Sequence, residues 1–298
     1  MRLNPTFIFF APILATEHLL TLLVVGSALI LVSPLGGTNR GAILSGVLLG
    51  LAILTRGEAM LYLPVLLLAN LLYNPDNRRK YWLPPIIIGS AFLIVFPWFL
   101  RNWIVIGPGS GLSTSGGPMF YYGHHERQND WKTLEREAFA GLNEIDRSRR
   151  GYELGFNYLR QAGLSSITID TVITTQRLYV PNDYAFLWNL YLPRPSPDSP
   201  YPLRSLAGSE FFSALAKVGY FFIALMALQS LVYLRKYPAR TWLALLGIFS
   251  MNWFCYAFLF ASTSRYRYAA EAIFCIMAGV GLWELRQLFR QRRRPLKP

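Results

Sequence analysis

The sequence predicts an all-α, polytopic membrane protein: about seven complete transmembrane helices, an N-terminal half-helix and an exoplasmic loop subdomain. Three observations predict it. Only 15% of the 298 residues are charged and 53% are hydrophobic, with a mean hydropathy of +0.30; a soluble domain carries about 25% charged residues. The apolar residues come in runs long enough to cross a bilayer, which takes about 20 residues of helix. The basic excess, a net charge of +13, sits in short clusters between those runs, as the positive-inside rule requires. A nucleic-acid binder would gather it on one polar face instead. The composition excludes a disordered or fibrous chain and argues against a cytosolic enzyme.

Met1–Leu14 is apolar but too short to span, and Pro5 and Pro12 interrupt it. It lacks the pattern of a cleaved signal peptide and reads as the second half of a helix. The first full span runs from about Glu17 to Ser33. Gly41–Tyr73 is too long for one ordinary span and is interrupted by Thr55-Arg56-Gly57-Glu58. One continuous helix would put Arg56 near mid-bilayer at about 2.5–3.5 kcal/mol, with a comparable cost for Glu58. Two spans, Gly41–Leu54 and Ala59–Tyr73, meeting at a polar turn avoid that cost. Trp82–Leu100 is the next span. The long loop Arg101–Ser209 is nearly neutral, with eleven Lys/Arg and ten Asp/Glu. Within it Asp146–Gln161 is amphipathic, with Tyr152, Phe156 and Leu159 on its apolar side, and predicts a helix lying on the membrane face or on the rest of the loop. Pro193–Pro202 reads as an extended connector. Phe211–Leu234, Trp242–Ala261 and Ala269–Leu285 complete the spans. The chain divides into N-terminal helices (1–106), a loop subdomain (107–209), C-terminal helices (210–285) and a basic tail (286–298).

This arrangement puts Arg40, Arg78-Arg79-Lys80, Arg235-Lys236-Arg240 and the tail on one side, the cytoplasm, and the long loop on the exoplasmic side. The expected location is the cytoplasmic (inner) membrane, with a cytoplasmic C-terminus and the lipid bilayer as one partner. Cys255 and Cys275 fall within apolar runs with no metal or redox spacing and read as small core residues.

Four arginines fall on the side where arginine is disfavoured: Arg56, Arg101, Arg265 and Arg267. Each sits at the end of a span. One alone would be a snorkelling side chain; four together suit an anionic lipid headgroup or lipid phosphate, which arginine binds through a planar fork. Tyr266 lies between two of them. Glu17, Glu58 and Glu271 lie at the same level, as salt-bridge partners or as acid/base or cation-binding groups. The adjacent His124 and His125 lack metal-site spacing. Ser113-Thr114-Ser115-Gly116-Gly117, followed by Tyr122 and His124, offers hydroxyls and aromatic faces of the kind that bind sugars, or an ordinary Gly/Ser turn.

Several pieces together resemble the C-type membrane glycosyltransferase superfamily, in the branch of protein O-mannosyltransferases and aminoarabinose lipid A transferases. They are Pro5-Thr6-Phe7-Ile8-Phe9 with Thr16-Glu17, then Gly50-Leu51-Ala52-Ile53-Leu54-Thr55-Arg56-Gly57-Glu58, then Pro97-Trp98-Phe99-Leu100-Arg101-Asn102. Ser113–Gly117 with Tyr122-Gly123, and Arg265-Tyr266-Arg267 with Glu271, complete the set. The resemblance implies transfer of a sugar from a polyprenyl-phosphate donor to an envelope lipid, glycan or protein acceptor on the exoplasmic side, typically with inversion. Arg265, Tyr266, Arg267, Arg56 and Arg101 would hold the donor phosphate. Ser113, Thr114, Ser115, Gly116, Gly117, Tyr122 and His124 would line the sugar or acceptor pocket. The resemblance allows a divalent metal and requires no other cofactor. It also places the family's catalytic acid in a first exoplasmic loop ahead of Met1, so the chain reads as truncated and inactive as given unless Glu17 or Glu58 substitutes. A transporter or flippase of an anionic envelope lipid, or a non-catalytic membrane binding protein, are the alternatives from other classes.

Overall fold

Helix is the only regular structure in the described residues of the computed structural model, which are 16–72, 81–124, 131–179, 210–261 and 264–292. The expected N-terminal half-helix, the Pro193–Pro202 connector, the Arg78-Arg79-Lys80 cluster and His125 lie outside them.

The first helix, α1 (Thr16–Val32), is followed by a 3₁₀ turn, Pro34–Gly37, and by α2 (Asn39–Thr55). Thr38 starts α2 by accepting a bond from the Gly41 N–H at 3.1 Å, satisfying a donor that has no partner within the helix. α1 and α2 run antiparallel, with the Ser27 and Ser45 hydroxyls 2.7 Å apart in the contact. At Arg56 the backbone turns extended (φ −151°, ψ 123°) and a 3₁₀ turn, Gly57–Tyr62, leads into α3 (Leu63–Leu71). The chain reverses here: Asn70, near the end of α3, donates to the Gly36 carbonyl at 2.9 Å, back at the start of α2. Two antiparallel helices meeting at a charged turn replace the continuous helix that would have buried Arg56 and Glu58 in its middle.

The next helix, α4 (Leu83–Val105), runs parallel to α2. A Cβ built on Gly46 would lie 2.4 Å from the Ile87 carbonyl oxygen, and one on Gly50 2.8 Å from that of Ala91. Glycine at these two positions, four apart on one face, lets the two backbones touch, the small-residue contact common between membrane helices. Leucine at Gly46 must push α4 away, at about 1–3 kcal/mol for overpacking, and lowers the melting temperature. Leucine at Gly89, beside which there is open space, leaves it unchanged. Thermal unfolding of the two variants in detergent checks the contrast.

Four short helices follow: α5 (Gly116–Gly123), α6 (Trp131–Phe139), α7 (Glu144–Gln161) and α8 (Leu164–Tyr179). The expected amphipathic helix is α7, capped by Asn143, whose side chain accepts the Asp146 N–H at 2.9 Å. It meets α5 through Gly151 and Gly155; a Cβ on Gly151 would lie 2.3 Å from the Gly117 carbonyl carbon. Tyr152 and Phe156 lean over Phe120, at 5.7 and 4.9 Å between ring centroids, and keep their outer edges exposed. A small core of Tyr121, Tyr122, Leu134, Phe139 and Ala261 ties α5 and α6 to the end of the helix array.

The last three helices are α9 (Glu210–Ser230), continued by a 3₁₀ stretch to Lys236; α10 (Ala239–Trp253), continued by a π-helical segment, Phe254–Leu259; and α11 (Tyr268–Arg292), entered from the turn Ser264–Arg267. α9 and α11 run parallel: Arg267 lies against Tyr220 and Lys236 pairs with Glu284. α10 packs on the α3 region, with Asn252 donating to Tyr62 at 3.3 Å.

Leu83–Val105, Lys217–Lys236, Ala239–Leu259 and Tyr268–Arg290 are long and apolar enough to cross a membrane; Thr16–Val32, Asn39–Thr55 and Gly57–Leu71 are shorter apolar helices. Leu93, Ile104, Phe221, Leu225 and Val232 are all more than half exposed. Outward rows of large apolar side chains on apolar helices mark a membrane protein, because bilayer rather than water covers them.

Candidate functional site

The pairings above bring one set of helix ends together, the starts of α1 and α11 with the ends of α2 and α10, level with Tyr220 of α9. Five polar residues from four places in the sequence meet there: Glu17, Arg56 with Glu58, Tyr256 and Tyr266. Arg56, at the reversal, donates through Nη1 to Glu17 at 2.8 Å and through Nε to Glu58. The Tyr256 hydroxyl, from the π-helical segment of α10, donates to the same Glu58 oxygen at 2.5 Å. Tyr266 lies flat against Tyr256, with centroids 4.7 Å apart, and the Arg56 guanidinium carbon is 4.7 Å from its ring centroid. Burial works against the Arg56 charge, but Tyr256, Glu58, Tyr266 and Glu17 together outweigh it, so its pKa stands above the ordinary arginine value.

The guanidinium is thereby fixed in place with two of its five N–H donors committed. Its side chain keeps 18% of its surface exposed, and so does that of Glu58.

Arg267 is a different kind of arginine. It is 2% exposed and ion-paired with Glu271, one turn on, itself 1% exposed. Its guanidinium lies 5.1 Å from the Tyr220 ring centroid and reaches toward the Leu178 carbonyl at 3.5 Å. Asn252 holds the turn before it by donating to the Tyr266 carbonyl at 3.0 Å. Arg267 and Glu271 are therefore buried structural charges in this conformation. The backbone of Arg265 belongs to the same 3₁₀ turn, and its side chain lies outside the described residues. Arg101 is exposed on its own helix, donating to Asn102 Oδ1 at 2.9 Å, with its guanidinium 5.0 Å from the Trp98 ring centroid.

The expected sugar-pocket residues divide. Ser113–Ser115 forms a hydrogen-bonded surface turn, with the Ser113 and Ser115 hydroxyls 2.7 Å apart and Thr114 donating to Glu144 at 3.3 Å. Gly116 and Gly117 open α5. Tyr122 is buried in the small core and donates to Glu135. His124 is buried at the end of α5 and lines a cleft with Tyr158 and Asp170. Cys255 lies buried beside Leu178, Tyr256 and Ala257, the small core residue its apolar run predicts.

Reading the sequence missed Tyr256, Tyr62, Asn252, Tyr158 and Asp170. For Asp170 a signal was present: a single carboxylate in the otherwise uncharged stretch Leu164–Gln176. The tyrosines and Asn252 gave none, because only packing brings them to their hydrogen-bond partners.

Among the described residues no three His, Cys, Asp or Glu side chains converge as metal ligands. The two carboxylates that do meet, Glu17 and Glu58, share Arg56, whose charge opposes a cation. The site does not fit a divalent metal. Comparison with family models, with characterised proteins and with solved structures finds no match to this chain.

Proposed function

We propose that this chain is a membrane glycosyltransferase that moves a sugar from a polyprenyl-phosphate donor to an envelope lipid, glycan or protein acceptor on the exoplasmic face of the cytoplasmic membrane. The observation that carries it is the Arg56 cluster: one guanidinium, held by Glu17 and Glu58 and backed by Tyr256 and Tyr266, at the end of the helix array where α5 to α8 gather. In the reaction the acceptor oxygen forms a bond to the anomeric carbon while the bond from that carbon to the phosphate oxygen breaks. The electron pair leaves with the phosphate, which takes up the acceptor's proton, and the remaining N–H donors of Arg56 stabilise the growing negative charge. Glu58 acts on Arg56 as a positioning group. In this reading the four long apolar helices and the three shorter ones are all spans. The Arg56 end and the long loop are exoplasmic, and the Lys236, Arg240 and Arg286 end is cytoplasmic.

The reversal at Arg56 favours one other reading, a carrier of anionic lipid, because helices broken at charged turns are common in transporters. The deciding experiment gives the full chain in proteoliposomes polyprenyl-phosphate pentose and hexose donors and measures release of polyprenyl phosphate. Release supports the transferase. Transbilayer movement of the donors without release supports the carrier and overturns the transferase. Topology is tested separately: reporter fusions after Asn77 and after Asp130 read as cytoplasmic and exoplasmic respectively. A cytoplasmic signal at Asp130 removes the exoplasmic site.

A further inference from the structure

α8 belongs to the long loop by sequence, but it does not stay above the helix array. It runs antiparallel to the π-helical end of α10 and descends beside it. Thr171 and Thr174 line a cleft with Ala257 and Phe258. Further down, the Trp253 indole N–H donates to Thr175 Oγ1 at 3.0 Å. At the bottom the Tyr179 ring lies 5.9 Å from Phe249 and 6.5 Å from Phe274, between centroids. Phe249 stands ten residues before the end of the apolar segment Ala239–Leu259, and Phe274 six residues after Tyr268, where α11 begins. At 1.5 Å per residue these are depths of about 15 and 9 Å below the helix ends, in a bilayer whose hydrocarbon is about 30 Å thick. Val172, seven residues before Tyr179, lies about 10 Å higher, near the level of those ends.

The surface of α8 suits that depth. Asp170, Thr174 and Leu178 are buried against the array. The opposite stripe, Thr168, Ile169, Val172 and Gln176, is exposed, with Ile169 and Val172 about half so. It carries no charge: Asp170, the one charge between Leu164 and Gln176, faces inward, and Arg177 is half-buried to the side. The threonines are satisfied within the helix. Thr168, Thr171, Thr174 and Thr175 each donate to the carbonyl four residues back, at 2.6–2.8 Å. No hydroxyl proton among them needs water, which is what an apolar surrounding demands of a polar side chain. The neighbouring α7 differs: its exposed stripe holds Arg149, Glu153, Asn157 and Arg160, which hydrocarbon would leave unsolvated.

We propose that α8 is a membrane-contacting helix, half inserted in the leaflet on the Arg56 side, with Ile169, Val172 and Gln176 resting against bilayer lipid at the boundary between headgroups and acyl chains. The inference rests on the reading that α10 and α11 cross the membrane and is independent of glycosyl transfer. At the depth of Tyr179 the outside of a spanning array is covered by lipid, so an uncharged stripe at the top of that zone meets the same partner. The long loop is then divided: α7 keeps a charged face in water, and α8 reaches down to place the Leu178 carbonyl beside Arg267.

The test places a nitroxide label on single cysteines of the full chain in vesicles of phosphatidylethanolamine and phosphatidylglycerol, in a Cys275→Ala background; Cys255 is buried. The labelled variants are Ile169→Cys, Val172→Cys and Gln176→Cys, with Asn157→Cys on α7 as the aqueous reference. Electron paramagnetic resonance reads the accessibility of each label to oxygen, which concentrates in lipid, against a water-soluble nickel chelate. The oxygen-to-nickel ratio is several-fold higher at Val172 than at Asn157 and rises from Ile169 through Val172 to Gln176. Ratios at all three positions equal to that at Asn157 overturn the insertion, and so does low accessibility to both reagents, which would mean that protein covers the stripe. The three side chains point away from the packing, and any two of the variants suffice if one misfolds. Leu225→Cys, on the exposed face of α9, reports on the spans separately. An aqueous signal there removes the membrane reading and the inference with it; lipid contact there with aqueous labels on α8 overturns the inference alone.

Discussion

Replacing Arg267 with alanine collapses the folded protein, with an expected loss of about 3–5 kcal/mol. The number follows from what is left behind. Glu271 is 1% exposed, and without Arg267 it loses the cation one turn away while staying buried inside a helical array. Replacing the pair with apolar residues of similar volume, Arg267→Met with Glu271→Leu, restores most of the stability, because two charges no longer need desolvation. Thermal unfolding of the two single variants and the double variant in detergent forms the cycle that reads this. A mild single-variant loss would mean that water or lipid headgroups reach Arg267, and would return it to the pool of phosphate ligands that the sequence offered.

If the proposed glycosyl transfer holds, replacing Arg56 with alanine lowers donor turnover by an expected factor on the order of 10²–10³, the cost of losing one preorganised charge-stabilising group. Stability also falls, since Glu17 and Glu58 are left facing each other without the cation that joins them. Arg56→Lys separates the two effects. Lysine keeps the charge between the carboxylates, so the fold survives. Its compact ammonium lacks the planar fork that can bond two carboxylates and a phosphate at once, so turnover stays low. Steady-state turnover in proteoliposomes, alongside the melting temperature of each variant, checks both parts. Turnover at wild-type rates in a folded Arg56→Lys variant would show that charge alone suffices.

These two arginines show where the sequence was legible and where it was not. Both stood out as positive charges at the ends of apolar runs. Only the reversal at Arg56 followed from local physics: a continuous helix there would have buried two charges, and the chain turns back instead. What each guanidinium does was hidden. The i,i+4 spacing of Arg267 and Glu271 is readable, but their burial comes from α8 and α9 closing over them. Glu58 is fixed by Tyr256, almost two hundred positions away, which nothing near Glu58 announces. The hydroxyl-rich Ser113–Ser115 segment offered either a sugar site or an ordinary turn, and the structure shows a surface turn bonded to itself and to Glu144. His124 lines a separate cleft with Tyr158 and Asp170.

The sequence by itself determined that this chain is helical and belongs in a membrane, where its apolar runs reverse, and which ends carry basic clusters. These are properties of composition and short-range periodicity, set by the cost of burying charge and exposing hydrocarbon. The tertiary structure alone decided which charges are neutralised, which glycines let helices touch, and which distant side chains share a site. Those outcomes depend on close packing between segments far apart in the chain, and no local pattern records them.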